Sequence, residues 1–249
     1  MNFDLTPLLD GWTHEAGKIK VRKIVSGNGT EKVQLRLDLG LLQMEMEGRP
    51  DGERPHDCES LLIWHQLRAE AAAAKGREYE LSQDDCNELQ QEGVQYYHRY
   101  ISLFQLEDYD HVIRDTQRNL ELFDFVHDHG VRDEVIWSFQ QFRPYVLMMN
   151  TRARACRFLE NEDFSSAIRE VRDGIAKIEE VFTDWPNPEQ ANISPELAFL
   201  NEWLEELQDQ RPVSRREQLE RALDEAIRNE AYEKAAELRD EIKTLTTRE

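Results

Sequence analysis

One short helical device recurs three times along the chain and limits what it can fold into. The stretches LEDYDHVIRDTQRNL (106–120), NEDFSSAIREVRDGI (161–175) and NEAYEKAAELRDEI (229–242) each set acidic residues around an aromatic, with small or branched apolar residues three and four positions after it. Apolar spacing of three and four puts those side chains on one face of an α-helix. The first two copies share a register: Tyr109, Val112, Ile113, Leu120 and Val126 match Phe164, Ala167, Ile168, Ile175 and Val181 at a constant offset of 55 residues, and Arg114 matches Arg169. A single amphipathic helix cannot cover its own apolar stripe, so a chain that repeats one must pack the copies on each other or on something else.

Ahead of the repeats the period changes. Ile19 and Val21 alternate with Lys20 and Arg22; after SGNGTE, Val33, Leu35, Leu37 and Leu39 alternate with Gln34, Arg36 and Asp38; after Gly40, Leu42, Met44 and Met46 alternate with Gln43, Glu45 and Glu47. Period two with turn residues between predicts a three-stranded antiparallel meander, closed by GRPDGERP. From Asp57 the pattern is helical to the end. Asp57 is the expected N-cap of the first helix, and Ser82 with Asp85 has the spacing of a capping box for the next. A helix over 109–129 ends at Gly130, Pro144 interrupts the helical stretch 133–160, and helices follow over 164–182 and, capped by Ser194, over 195–208. The expected fold is mainly α, in three parts: a β-meander segment over 1–56, a helical body over 57–213 and an antiparallel helix hairpin over 214–249. The body resembles tetratricopeptide-type repeats, in which an aromatic and a small residue lock neighbouring helices; its 55-residue period is longer than that family's unit.

Charge narrows the function classes. Lys plus Arg number 31 against 51 Asp plus Glu, a net charge of −20, and residues 57–213 hold 15 basic against 32 acidic groups. Such a field repels phosphate backbones, so direct nucleic-acid binding is not expected. Cys58, Cys86 and Cys156 lie far apart and form no CxxC pair, which argues against a disulfide framework or a thiolate zinc site and for a reduced, cytoplasmic protein. The stretch MNFDLTPLLDGW lacks the basic and apolar regions of a leader, and no apolar run of about 18 residues occurs, so no membrane association is expected.

Residues 217–245 carry two apolar stripes. Leu219, Leu223, Ala226 and Ile227 form the first; Tyr232, Ala235, Ala236, Leu238, Ile242 and Leu245 form the second. Ala222, Ala226, Ala235 and Ala236 let two helices approach closely, and Glu217 with Arg221 and Asp224 with Arg228 support the outer face. A two-helix hairpin of this size buries too little apolar area to stand alone, so its stripe must dock on its own chain or on another. These residues, with the YEKAAELRD core through Arg239, resemble the UVR motif, a helical hairpin found at the end of one excision-nuclease component and inside another, and in some clp-type ATPase and kinase-adaptor proteins of bacteria. The resemblance implies contact between protein chains, with Leu219, Leu223, Ala226, Ile227, Tyr232, Ala235, Ala236, Leu238, Arg239, Ile242 and Leu245 as partner-binding residues. The whole arrangement resembles bacterial UVR-motif proteins, which implies a family and no activity. The sequence holds no GxxxxGK[ST] phosphate loop, no nuclease carboxylate cluster and none of the adaptors' CxxC pairs.

Candidate chemistry is sparse. Asp108 with His111, and Asp124 with His127, repeat a carboxylate-x-x-His spacing, and His129 lies close by. Carboxylate-bridged di-iron bundles use Glu-x-x-His pairs on different helices with further inward glutamates, whereas both pairs here fall on one helix; solvated histidines, no metal and no cofactor are the expectation. His56, Asp57 and Cys58 are adjacent, and members of a nucleophile–base pair normally meet through the fold instead. GRPDG, with Arg49, reads as a turn. Tyr96, Tyr97, Tyr100, Phe104, Phe139, Phe142 and Tyr145 read as inter-helix packing, or as the lining of a concave groove that acidic helices would bias toward a basic partner. The sequence thus predicts a non-enzymatic adaptor that binds a protein partner, or a second copy as a homodimer, through its C-terminal hairpin. Two alternatives stay open: a metal-dependent helical-bundle enzyme using Asp108, His111, Asp124 and His127, and an accessory factor of nucleotide excision repair acting through a protein partner.

Overall fold

A computed structural model describes residues 4–130, 132–183, 185, 188–212, 215–229 and 231–246, with side chains for all of these except 215–218, 220, 221 and 244–246. Its helices are α1 Thr6–Leu9, α2 Leu61–Ala73, α3 Gln83–Gln105, α4 Tyr109–His129, α5 Asp133–Gln140, α6 Arg143–Leu159, α7 Phe164–Thr183, α8 Pro195–Gln210, α9 Arg215–Arg228 and α10 Tyr232–Thr246. Its strands are β1 Val21–Val25, β2 Glu31–Arg36 and β3 Leu41–Glu45. The mainly helical class, the small N-terminal meander and the C-terminal helix pair follow the sequence pattern. The chain divides into two compact units, Met1–Glu205 and Glu206–Glu249, so the division falls inside α8.

The meander is antiparallel in the order β1-β2-β3, with Val21 and Leu42 both opposite Leu35, and Lys23 and Met44 both opposite Val33. Val33, Leu35 and Met44 are buried where β2 meets α3, but Leu39 is exposed. Alternation stops at Arg36, because the Leu37 N–H bonds to Gly40 O at 2.9 Å and the chain turns there. The opposite face is polar yet partly closed. Arg22 Nε donates to Gln34 Oε1 (2.7 Å), Gln34 Nε2 donates to Gln43 Oε1 (2.8 Å), and the Arg22 guanidinium lies 4.0 Å from the Trp12 ring centroid.

Buried charge fastens the meander to the helices. Arg99 on α3 donates from Nε and Nη2 to Asp115 on α4 (2.6 and 2.8 Å), and from Nη1 to the carbonyls of Glu45 and Gly48 (3.0 and 2.8 Å). Arg114 joins Asp115 (2.9 Å), the Met46 carbonyl (2.8 Å) and Glu47. The start of the GRPDG turn is therefore held by a guanidinium of α3, and the two residues before it by a guanidinium of α4. Glu92, fully buried on α3, accepts from the backbone N–H groups of Leu61 (2.8 Å) and Leu62 (3.2 Å) and pairs with Arg118, with Arg49 3.6 Å away. A carboxylate at the start of α2 meets the positive end of the helix dipole and satisfies two of its free donors. Ser60, rather than Asp57, supplies the side-chain cap of α2, and Asp57 lies in a 3-10 turn with φ of 61°.

The recurring device is the second helix of a helix hairpin, together with the turn that enters it. Between α3 and α4 the Asp108 N–H bonds to Leu103 O (3.0 Å) with Glu107 at φ 58°; between α6 and α7 the Asp163 N–H bonds to Phe158 O (3.0 Å) with Glu162 at φ 58°. These are corresponding positions at the 55-residue offset. Between α9 and α10 the Ala231 N–H bonds to Ala226 O (2.8 Å), the same six-to-one closure of a helix C-terminus. Within the body α3 packs on α4, α4 on α6, and α6 on α7. Val112 and Ala167, equivalent in the first two copies, are both fully buried. The predicted capping box of Ser82 and Asp85 opens α3, and Pro144 sits in the first turn of α6, where its missing N–H costs nothing.

Candidate functional site

The C-terminal hairpin pairs α9 with α10 and splits its predicted site residues between two faces. Leu219, Ala226 and Ala235 are buried, and Leu223, Leu238 and Ile242 are half-buried. Ile227 is 50% exposed and Tyr232 69%, and Ala236 and Arg239 are also open. At 100° per residue, Ala235, Leu238 and Ile242 share one side of α10, and Tyr232, Ala236 and Arg239 share the adjoining side, roughly 90° round the helix. The sequence stripe containing both Ala235 and Ala236 is thus two surfaces. The Leu245 side chain lies outside the described residues.

The three copies differ at their aromatic. Tyr109 and Phe164 are half-buried, and Tyr109 meets the edge of Phe104 at 5.6 Å between centroids. Tyr232, at the same place in the third copy, is uncovered. An exposed tyrosine combines apolar area with a polar tip and few rotatable bonds, a residue type enriched at interfaces.

The candidate metal groups do not assemble. His111 and His127 sit sixteen residues apart on α4, about 24 Å along its axis. His111 is not solvated as expected: its ring bridges Asp108 (Nδ1 to Oδ1, 2.6 Å) and Glu47 (Nε2 to Oε1, 3.0 Å), and Asp108 also accepts from Lys23 (2.7 Å). Burial pushes the Asp108 carboxyl up, but the bonds from Lys23 and His111 outweigh it and hold the group below its usual range. Asp124 pairs with Arg143, and the His129 ring reaches Tyr79 O at 3.0 Å. Among the described residues no group of three or more His, Cys, Asp or Glu side chains is placed to hold a metal ion. His56 stacks on Trp64 at 3.9 Å, and the Cys58 N–H closes the 3-10 turn on Pro55 O (2.9 Å), so this trio shapes a turn.

Of the predicted aromatics, Tyr97, Tyr100, Phe139, Phe142 and Tyr145 do meet, around a hollow of about 570 Å³. Tyr96 instead lies under Arg99 and Arg118, 4.9 and 4.2 Å from its ring centroid, and burial pushes its hydroxyl up to about 12. Sequence reasoning missed the network of Glu92, Arg99 and Asp115. Its signal was available: Glu92 and Arg99 fall on the same helical stripe as Leu89, Tyr96 and Leu103, where a charge needs a buried partner.

A mainly helical chain with a C-terminal two-helix module is the class these features define. The module is the UvrB/uvrC motif, whose family model matches residues 214–246, the span of α9 and α10. Beyond it the chain matches no curated protein and no solved structure. Among the described residues no helix is long and apolar enough to cross a membrane.

Proposed function

We propose that the protein is a non-catalytic adaptor whose C-terminal hairpin captures another polypeptide through Ile227, Tyr232, Ala236 and Arg239. One observation carries this reading: the aromatic that is partly covered in the first two copies of the hairpin stands open in the copy that matches the UvrB/uvrC motif. The partner is a protein or a second copy of the chain, and the body, with two further hairpins of tetratricopeptide-like design, carries the module. The name of the motif makes excision-repair proteins that bear the same hairpin the first partners to test. With a net charge of −20, the chain would reach DNA through such a partner and not by itself.

The burial pattern decides the variant. Ala235→Glu would force a charge onto the covered side and disturb the hairpin itself, whereas Ala236→Glu places the charge on the open side. Sedimentation of the full chain, and pull-down of purified excision-repair proteins carrying the motif, would be compared for wild type, Ala236→Glu and Tyr232→Ser. The expected result is association by wild type, at least a tenfold loss in both variants, and unchanged melting temperatures. Absence of any association by wild type, or association indifferent to both substitutions, rejects the adaptor reading.

A further inference from the structure

The first unit contains a hollow with a chemistry of its own. Its walls come from α3, α4, α5, α6 and the start of α8, and its rim from Val94, Tyr97 and Phe142, which are 47%, 37% and 51% exposed. Three tyrosines converge there: the Tyr97 ring stands edge-on to Tyr100 (5.5 Å between centroids, 89°) and lies 6.2 Å from Tyr145. Burial pushes the Tyr100 and Tyr145 hydroxyls up, so both rings stay neutral in water.

The charge in the lining is one-sided. Glu196 is the sole acidic group among the lining residues, and no Lys or Arg lines the hollow. Its Oε2 accepts from the Ser194 hydroxyl at 2.8 Å, and among the described residues no cation lies within ion-pair distance of it. Burial aside, Tyr145 lies between two charges: Arg152, outside the lining, lowers its hydroxyl and Glu196 raises it, so the carboxylate is the charge that faces the hollow. Aromatic faces present negative potential, and a carboxylate beside them adds to it in a site partly shielded from water. The apolar rim suits an aliphatic stem, and the tyrosines with Glu196 suit a cationic head. The surrounding body is acidic, which disfavours an anionic occupant.

We propose that this groove binds an extended peptide segment of a partner protein by an arginine or lysine side chain, whose stem lies along Val94 and Phe142 and whose charge is met by Tyr97, Tyr145 and Glu196. Long cationic side chains pack their methylenes on apolar surface while keeping the head polar, which matches this order of groups. All of the residues that line the groove belong to the first unit, whereas the hairpin belongs to the second.

The test uses the full-length protein at about 150 mM salt, where long-range attraction by the net charge is screened. Fluorescein-labelled, end-blocked hexapeptide pools carry Arg, Lys, Leu or Glu at one central position, with neutral residues elsewhere, and binding is read by fluorescence polarisation. The Arg and Lys pools are expected to bind at least tenfold more tightly than the Glu pool and more tightly than the Leu pool. Glu196→Gln should abolish the advantage of Arg over Leu. Phe142→Ser, at a half-exposed site, should weaken every pool without lowering the melting temperature. Glu162→Gln, in the turn between α6 and α7 and outside the lining, should change nothing and so exclude a general charge effect. No binding by any pool, equal binding of the Arg and Glu pools, or a preference that survives in Glu196→Gln overturns the proposal.

Discussion

Replacing Arg99 with methionine should cost the protein a large share of its stability. Arg99 and Asp115 are 1% and 0% exposed, and the guanidinium makes two bonds to that carboxylate and two to backbone carbonyls of the meander. Methionine fills most of the volume but donates nothing. It leaves Asp115 buried with only Arg114 at 2.9 Å, and leaves the Glu45 and Gly48 carbonyls without this donor. Breaking a buried pair by removing one partner costs about 3–5 kcal/mol, because the surviving charge is not solvated. Against a total stability of about 5–15 kcal/mol for a typical domain, that is enough to shift the urea midpoint severely. The companion variant, Arg99→Met with Asp115→Leu, removes both charges and should recover at least half of the loss. Arg99→Lys keeps the charge without the planar fork and should fall between wild type and Arg99→Met. Equilibrium urea unfolding followed by far-ultraviolet circular dichroism measures all four proteins. A loss below about 1 kcal/mol in Arg99→Met, or a double variant no more stable than the single, would refute the reasoning that an uncompensated buried carboxylate dominates.

Gly174→Ala should destabilise the body even though alanine is the better helix former by about 1 kcal/mol. A Cβ at Gly174 would lie 2.8 Å from Thr151 Cβ, close to the α6 backbone, so the helices must separate at an overpacking cost of about 1–3 kcal/mol; a rise in melting temperature would contradict this. His65 should make stability fall with pH. Its ring is buried against Tyr79 (Nδ1 to Oη, 2.6 Å), with Asp85 3.9 Å from Nε2; burial holds its pKa below the usual 6.5, Asp85 opposes this, and Arg68 and His56 add to it. With the folded pKa depressed, the contribution is complete above about 6.5 and is lost as pH falls from there through the folded value, since the unfolded chain takes the proton first. The urea midpoint of wild type should therefore drop more between pH 7 and pH 5 than that of His65→Gln, and parallel curves would remove His65 from the account.

Much of the local structure was legible in the sequence because local rules decide it. The capping box at Ser82 and Asp85, the break at Pro144, the alternating strands and the recurrent aromatic with its small neighbours each act within one or two turns of chain. The stretches that begin at 106, 161 and 229 each lead into a helix, and the closing bond is common to all three copies. The sequence could not say which side of each stripe a partner covers. Ala235 and Ala236 are chemically identical neighbours, and only the packing of α10 makes one buried and the other open. In the same way His111 reads as a surface histidine until Glu47, distant in the chain, arrives to bracket it with Asp108, a carboxylate that Lys23 of the meander also holds. The groove shows the division most plainly. Its tyrosines belong to α3 and α6, and Glu196 to α8, so their shared hollow exists only once the helices are stacked. Periodicity along a chain determines which residues seek cover, whereas the tertiary fold determines what covers them, because burial depends on groups far apart in sequence.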